Sequence, residues 1–309
     1  MIIMASKEDF IKRELEKTGF DFEDRVSTRI KEVGNFDLQT SYDFIDWQTG
    51  EPLELDLRAT YKVTSSPIRI EYVLLIECER IPGNAWAFIK STGDAITSKN
   101  ALSMWDDIDT IGRQQELVEI LKPMTKVNAP VADSYSNRFK EIVVDGKISN
   151  NRDDNILNCI KRLAKAIYFE QRMHERDSAI LSAQVEDIDY VKIYYPVIVF
   201  EGDMYEATML PNLNVRQVSS VHLSKFSIEN KQEIHMTIDI VNFENLEQFL
   251  KKGLLVEANE ILAREKRNRR AYIKRIHKLK QKKKLDKTLQ QIEDVYQKVQ
   301  KVPKVGKIL

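Results

Sequence analysis

The chain of 309 residues is long enough for one large domain with an appendage, or for two modest domains. Its composition, 42% hydrophobic and 31% charged, is typical of a globular protein, and two cysteines, Cys78 and Cys159, are too few for a disulfide framework. The formal net charge is zero, yet residues 264–287 carry +11 and residues 1–263 about −13, which predicts an acidic body beside a strongly basic segment.

The sequence contains no segment that is expected to enter a membrane. The first residues lack an apolar stretch long enough for a signal peptide. The longest apolar run, Tyr194 to Phe200, is far too short to cross a bilayer and predicts a buried strand. We therefore expect a cytoplasmic protein that is not embedded in a membrane.

The first half of the chain is predicted to be mainly strands after an N-terminal helical stretch. Apolar residues at helix-like steps predict helices between residues 7 and 33, with a break at Gly19 and an end at Gly34. The next apolar runs predict strands at 36–45, 53–63 and 69–78. Pro82-Gly83-Asn84 predicts a turn that leads into a short strand over 85–91. Residues 95–150 carry no clear motif apart from a short hairpin suggested by EIVVDGKIS.

The second half is predicted to begin with an amphipathic helix over 153–176. Its apolar residues on or near one face are Ile156, Ile160, Leu163, Ile167 and Phe169. Strands are expected at 190–200, 203–209, 218–227 and 232–242, with Glu201-Gly202-Asp203 as the turn between the first two. Residues 244–299 are predicted to be mostly helical and end in a short coiled-coil seam, which needs another surface to pack on. The predicted domains are residues 1–245 and a helical extension, 246–309.

Three acidic residues lie in or beside apolar strands of the first half. Asp56 is flanked by Leu55 and Leu57, and Glu77 and Glu79, two apart on a strand, point to the same face. If the two strands pair, the three carboxylates converge at one sheet edge and raise one another's pKa. A hard divalent cation, Mg²⁺ or Mn²⁺, resolves that repulsion. The alternative is that these acids are solvated residues at a sheet edge.

These residues carry a resemblance to a known superfamily. The segments TGEPLELDLRATY and LLIECERIPGNAWAFI resemble the Asp-x(n)-Glu-x-Lys core of the PD-(D/E)XK nucleases, and GFDFEDRVS resembles their first helix. YYPVIVFEGDMYEA resembles a later strand pair, so that the resemblance covers roughly residues 15–245. It implies an α/β, restriction-endonuclease-like fold with a mixed sheet flanked by helices. It also implies that Asp56 and Glu77 hold a metal ion, which Glu23 supports through water.

The chain departs from this pattern at Glu79, where the superfamily usually has lysine. In one interpretation Glu79 is the catalytic base or a third metal ligand, the two roles that the resemblance implies, since glutamate stands here in some members of the superfamily. In a second, the lysine has migrated and Lys90, Lys62 or Arg58 supplies the positive charge. In a third, the site is degenerate and the fold serves nucleic-acid or partner binding.

The basic segment, residues 264–287, has thirteen lysine and arginine residues against two acids. It is interpreted as a solvated helix, as a helix that neutralises nucleic-acid phosphates, or as an element that docks on the acidic body or on an acidic partner subunit. The candidate nucleic-acid-binding residues are Arg267, Arg269, Arg270, Lys274, Arg275 and Lys278.

Together these features predict a divalent-metal-dependent DNA endonuclease, and the resemblance alone implies a role in restriction or antiphage defence. The alternative is a catalytically degenerate subunit that binds nucleic acid or a protein. The coiled-coil spacing predicts a homo-oligomer, or a partner subunit held through the C-terminal helix.

Overall fold

The computed structural model describes residues 19–65, 68–90, 134–143, 154–184, 189–209, 211–229 and 232–255, and Lys7, Glu8, Phe10 and Ile11. The chain divides into two units, residues 1–262 and residues 263–309, and every described residue belongs to the first. The basic segment, the coiled-coil seam and most of residues 95–150 lie outside the described residues. Among the described helices, none is long and apolar enough to span a membrane.

The first described helix, α1 (Phe20–Val33), begins after Gly19 and ends before Gly34, as predicted. Gly19 has φ of 86°, a left-handed conformation that glycine adopts without steric cost, and its carbonyl accepts hydrogen bonds from the N–H groups of Phe22 and Glu23. Phe22, Val26 and Ile30 are buried at steps of four residues, so that one face of α1 packs against the protein. Glu23 is thereby held in the first turn.

Eight strands form one mixed sheet, which confirms the predicted mixed α/β architecture. The strands are β1 (Asp37–Ile45), β2 (Pro52–Ser65), β3 (Ile68–Lys90), β4 (Ser134–Val143), β5 (Asp189–Thr208), β6 (Asn214–Gln217), β7 (Ser220–Glu229) and β8 (Gln232–Asn242). Their order is β1-β2-β3-β4-β7-β8-β5-β6, and a further parallel pairing between β3 and β5 closes the central strands into a ring. Strand β3 therefore has three neighbours, β2, β4 and β5.

Two predicted turns are wrong. Pro82-Gly83-Asn84 does not end a strand, because β3 continues to Lys90, and Glu201-Gly202-Asp203 is not a hairpin turn, because β5 continues to Thr208. The two strands pair in parallel along almost their whole length, with a register shift in β3 between Arg80 and Ala85. Pairing to neighbours on both sides outweighs the local turn preference, and the surplus residues of β3 form a bulge.

Helix α2 (Asp154–Gln184) follows β4 and covers the main hydrophobic core. The predicted helix over 153–176 is confirmed and runs further, with Ile156, Ile160, Leu163 and Ile167 all buried. Beside them, Trp86 of β3 stacks on Phe200 of β5 with ring centroids 4.0 Å apart. After β8 the chain forms a 3-10 turn (Phe243–Asn245), a short helix α3 (Leu246–Phe249) and a π-helical turn (Leu250–Leu254).

A candidate site built from carboxylates

Asp56 of β2 and Glu77 of β3 lie where these two antiparallel strands stop pairing. The last paired residues at this end are Leu57 and Ile76, so that Asp56 and Glu77 come next on their strands. Asp56 Oδ2 accepts a hydrogen bond of 2.6 Å from the backbone N–H of Cys78. This bond bridges the opening between the strands and fixes the Asp56 carboxylate beside Glu77.

Strand β1 is irregular directly opposite Asp56. Thr40 pairs with Leu57 and Tyr42 pairs with Leu55, but Ser41 and Asp56 between them do not appear as a pair. Ser41 has φ of 49°, and it is the one described residue other than glycine with a positive φ. Leu55 belongs to the main core whereas Leu57 is buried outside it. Leu55 and Leu57 are both buried and Asp56 between them is half-buried, so side-chain alternation in β2 continues through Asp56 although β1 is irregular opposite it.

Glu77 is the most deeply buried acid of the site, with no exposed surface. Burial and the neighbouring charge of Asp56 raise the pKa of Glu77 to about 9, although the Arg162 guanidinium opposes that shift. Nη2 of Arg162, on α2, forms an ion pair with Glu77 Oε2. Among the described residues, neither oxygen of Glu77 accepts a hydrogen bond of ordinary geometry. The buried carboxylate is therefore compensated mainly by one guanidinium.

The charges of Asp56 and Arg162 also act on Glu23 and Glu79, the first raising and the second lowering their pKa values. Burial and the charge of Asp56, then Glu54, raise the pKa of Glu23 to about 7, in spite of its place in the first turn of α1, where an acid is normally stabilised. The pKa of Glu79 is raised mainly by burial, and Glu79 Oε1 lies 3.5 Å from the Cys159 thiol. We define the carboxylate cluster as Glu23, Glu54, Asp56, Glu77 and Glu79.

The sequence analysis missed Arg162, which acts on most of this cluster. Its positive charge lowers the pKa of Glu23, Asp56, Glu77 and Glu79 against the effect of burial. Arg162 follows the buried residues Cys159 and Ile160 on α2, one residue before the buried Leu163. Its place beside an apolar face is visible in the sequence. Which turn of α2 lies over Glu77, however, depends on packing between elements far apart in the chain.

The three cations proposed in place of the missing lysine are paired elsewhere. Arg58 Nε lies 2.6 Å from Glu170 of α2, Lys62 lies between Asp37 and Glu71, and Lys90 lies 3.6 Å from the buried Glu206. None of them appears among the charges that shift the pKa values of Asp56, Glu77 or Glu79. The candidate nucleic-acid-binding residues, from Arg267 to Lys278, lie outside the described residues.

The chemistry of these ligands suits a hard divalent cation. Every candidate ligand is a carboxylate oxygen, the type that Mg²⁺ and Mn²⁺ prefer. The pKa of Glu77 is raised first by burial and then by the neighbouring charge of Asp56, and Arg162 opposes both effects. In the described part of the chain, however, no three His, Cys, Asp or Glu side chains are arranged to hold a metal ion. Arg162 supplies the compensating charge at Glu77 instead.

Comparison of the chain with protein-family models, with curated proteins and with solved structures finds no match. The function is therefore inferred from the residues of this chain alone.

Proposed function

We propose that the protein is a divalent-metal-dependent endonuclease of the PD-(D/E)XK type that hydrolyses DNA phosphodiester bonds. The observation that carries the proposal is the convergence of two carboxyl groups: the Cys78 N–H fixes Asp56 beside Glu77, and Glu77 has no exposed surface. Ionising a carboxyl group at such a buried position costs free energy, which is why the pKa of Glu77 is raised. Strongly perturbed carboxylates of this kind cluster at functional sites. The helix acid Glu23, electrostatically coupled to Asp56, supports the same interpretation.

In this proposal Asp56 and Glu77 would hold the cation, and Glu23 would support it through water. The cation, Mg²⁺ or Mn²⁺, would polarise the phosphoryl oxygen and stabilise the leaving 3′ oxygen. Glu79 accepts a proton from the attacking water at its carboxylate, and the pKa that burial raises makes this carboxylate a stronger base. The backbone N–H of Cys78 keeps the Asp56 carboxylate oriented throughout.

The test is cleavage of plasmid DNA by the full chain with Mg²⁺ or Mn²⁺. We expect cleavage by the wild type and a loss of at least about 100-fold in Asp56→Ala and Glu77→Ala. Glu79→Ala is expected to lower the rate about 100-fold, as for loss of a general base. The control is Glu51→Ala, since Glu51 is an exposed acid in the turn between β1 and β2. No cleavage by the wild type with either metal would reject the proposal.

A second candidate function is a catalytically degenerate subunit that keeps the fold for binding nucleic acid or a protein. The observation in its favour is Arg162, because a cation already pairs with the residue that would hold the metal. Glu79→Lys separates the two candidates. Restoring the usual lysine is expected to increase cleavage from a degenerate site, and to abolish it where Glu79 is the base.

Three further parts of the proposal rest on the sequence. The basic segment would bind DNA phosphates, and the coiled-coil seam would hold a second copy or a partner subunit. A cytoplasmic location agrees with the free thiols of Cys78 and Cys159. A role in restriction or antiphage defence follows from the resemblance alone.

A further inference from the structure

Arg162 is positioned to take part in more than one ion pair. Its side chain is 39% exposed, whereas its partner Glu77 has no exposed surface. A guanidinium has five N–H donors, and Nη2 makes the contacts to Glu77 and, at 4.0 Å, to the Cys159 sulfur. The Nε donor of Arg162 is buried and has no hydrogen-bond partner among the described residues. The guanidinium is thus held through Nη2, whereas its Nε–H group makes no hydrogen bond to the described residues.

The other cations near the sheet are less free to leave their partners. Lys165 of α2 lies 2.7 Å from the buried Asp46, and Arg58 is held by Glu170 and Thr60. Arg25 and Arg80 share Glu201, with a two-pronged contact from Arg25. These are compact pairs or networks that connect elements of the fold. Arg162 differs because its partner lies in a cluster with a surplus of carboxylates.

A divalent cation on Asp56 and Glu77 would change the balance of forces on Arg162. A bound cation would repel the Arg162 guanidinium and neutralise the negative charge of Glu77. Both effects would weaken the ion pair between Arg162 and Glu77. The guanidinium already reaches solvent, and planar guanidinium groups bind phosphate oxygens through two parallel hydrogen bonds. A phosphodiester that approaches the bound cation supplies such oxygens at the same place.

We propose that Arg162 exchanges partners: it leaves Glu77 when a divalent cation binds the carboxylate cluster, and then binds the phosphate of the nucleic-acid backbone. This inference rests on the proposed function and adds a residue to it. Without nucleic acid Arg162 competes with the metal for Glu77. With nucleic acid it stabilises the ternary complex. Metal and phosphate therefore bind cooperatively, and the coupling is reciprocal.

The first experiment measures Mn²⁺ affinity of the full chain without DNA, from the electron paramagnetic resonance signal of free Mn²⁺. Arg162→Gln removes the competing charge and is expected to bind Mn²⁺ about fivefold more tightly, or better. Lys161→Gln, the matched control, removes an exposed charge from the neighbouring position of α2 and is expected to match the wild type within about twofold. Equal or weaker Mn²⁺ binding by Arg162→Gln overturns the inference.

The second experiment measures affinity for a short DNA duplex with Ca²⁺ in place of Mg²⁺, so that the DNA stays intact. Arg162→Gln is expected to bind the duplex at least about fivefold more weakly, and Lys161→Gln to bind nearly as the wild type does. Arg162→Lys keeps the charge without the planar fork, so we expect nearly normal Mn²⁺ affinity with reduced DNA affinity. Wild-type DNA affinity in both Arg162 variants overturns phosphate binding by this residue.

The outcome also separates this inference from the proposed function. Suppose that the wild type binds Mn²⁺ and that Glu77→Gln does not. If Arg162→Gln then binds Mn²⁺ no more tightly than the wild type, the partner exchange is rejected and the metal site stands. If neither the wild type nor Arg162→Gln binds Mn²⁺, the metal site itself is rejected, and the exchange with it. Binding by Arg162→Gln but not by the wild type would be the strongest support, since the guanidinium alone then blocks the site.

Discussion

At the scale of single residues, Glu77 makes the protein less stable than it could be. Its pKa rises from 4.5 to about 9 on folding, mainly through burial, so the folded chain binds this proton more tightly than the unfolded chain. The proton's contribution to stability is complete below pH 4.5. It is lost as the pH rises through about 9. Keeping such a carboxylate is typical of a functional site, where stability is given up for activity.

This imbalance predicts that Glu77→Gln stabilises the metal-free protein at alkaline pH. Glutamine cannot ionise, so at pH 8 the free energy of unfolding should exceed that of the wild type by about 1 kcal/mol or more, since one unit of pKa corresponds to about 1.4 kcal/mol. The difference should shrink towards pH 4.5. Urea unfolding with a chelator present, from pH 4.5 to 8.5, measures it. Glu51→Gln is the exposed control, and parallel curves for Glu77→Gln and the wild type would contradict the assignment.

At the scale of elements, the irregular pairing of β1 with β2 places a backbone cost beside Asp56. A left-handed conformation costs a residue other than glycine about 1–2 kcal/mol, most for β-branched side chains. We expect Ser41→Gly to leave the free energy of unfolding unchanged or raise it by up to about 1 kcal/mol, and Ser41→Val to lower it by about 1–2 kcal/mol. Denaturant titration measures both.

Position 39 of the same strand provides the control for this prediction. Gln39 is exposed, like Ser41, and pairs regularly with Arg58. Valine suits a regular strand, so Gln39→Val should not be destabilising. Equal effects of valine at both positions would show that the left-handed conformation of Ser41 carries no cost.

The same elements show what the sequence could predict. Local periodicity placed α1, β1, β2, β7, β8 and the start of α2 within a few residues, because side-chain alternation and helical spacing are properties of each segment alone. The continuous strands β3 and β5 could not be predicted, because their parallel pairing joins residues more than 100 apart in the chain. Arg162 was missed for the same reason, whereas Asp56 and Glu77 stood out by their spacing in apolar strands.

At the scale of the whole molecule, positive charge is concentrated in the basic segment, whereas the carboxylate cluster lies in another part of the chain. A cluster rich in carboxylates repels a phosphate backbone until a cation compensates it, so in the proposed function the affinity for DNA would come from other residues. The proposal assigns that role to the basic segment, which has a charge balance of +11. Contacts of this kind release counterions from DNA and are insensitive to base sequence. They would bring the substrate close while the carboxylate cluster and Arg162 act on one phosphate.

Replacing six cations of the basic segment by glutamine in the full chain tests this division. The substituted residues are Arg267, Arg269, Arg270, Lys274, Arg275 and Lys278. Each lost phosphate contact should reduce the slope of log affinity against log salt by about 0.9, so the variant should bind weakly at low salt and depend little on salt. The control replaces Lys31, Lys161 and Lys252, exposed cations of the first unit, by glutamine and should keep the wild-type slope. An unchanged slope in the sixfold variant would mean that phosphate binding depends on the first unit alone, and Arg162 would then be the first residue to substitute.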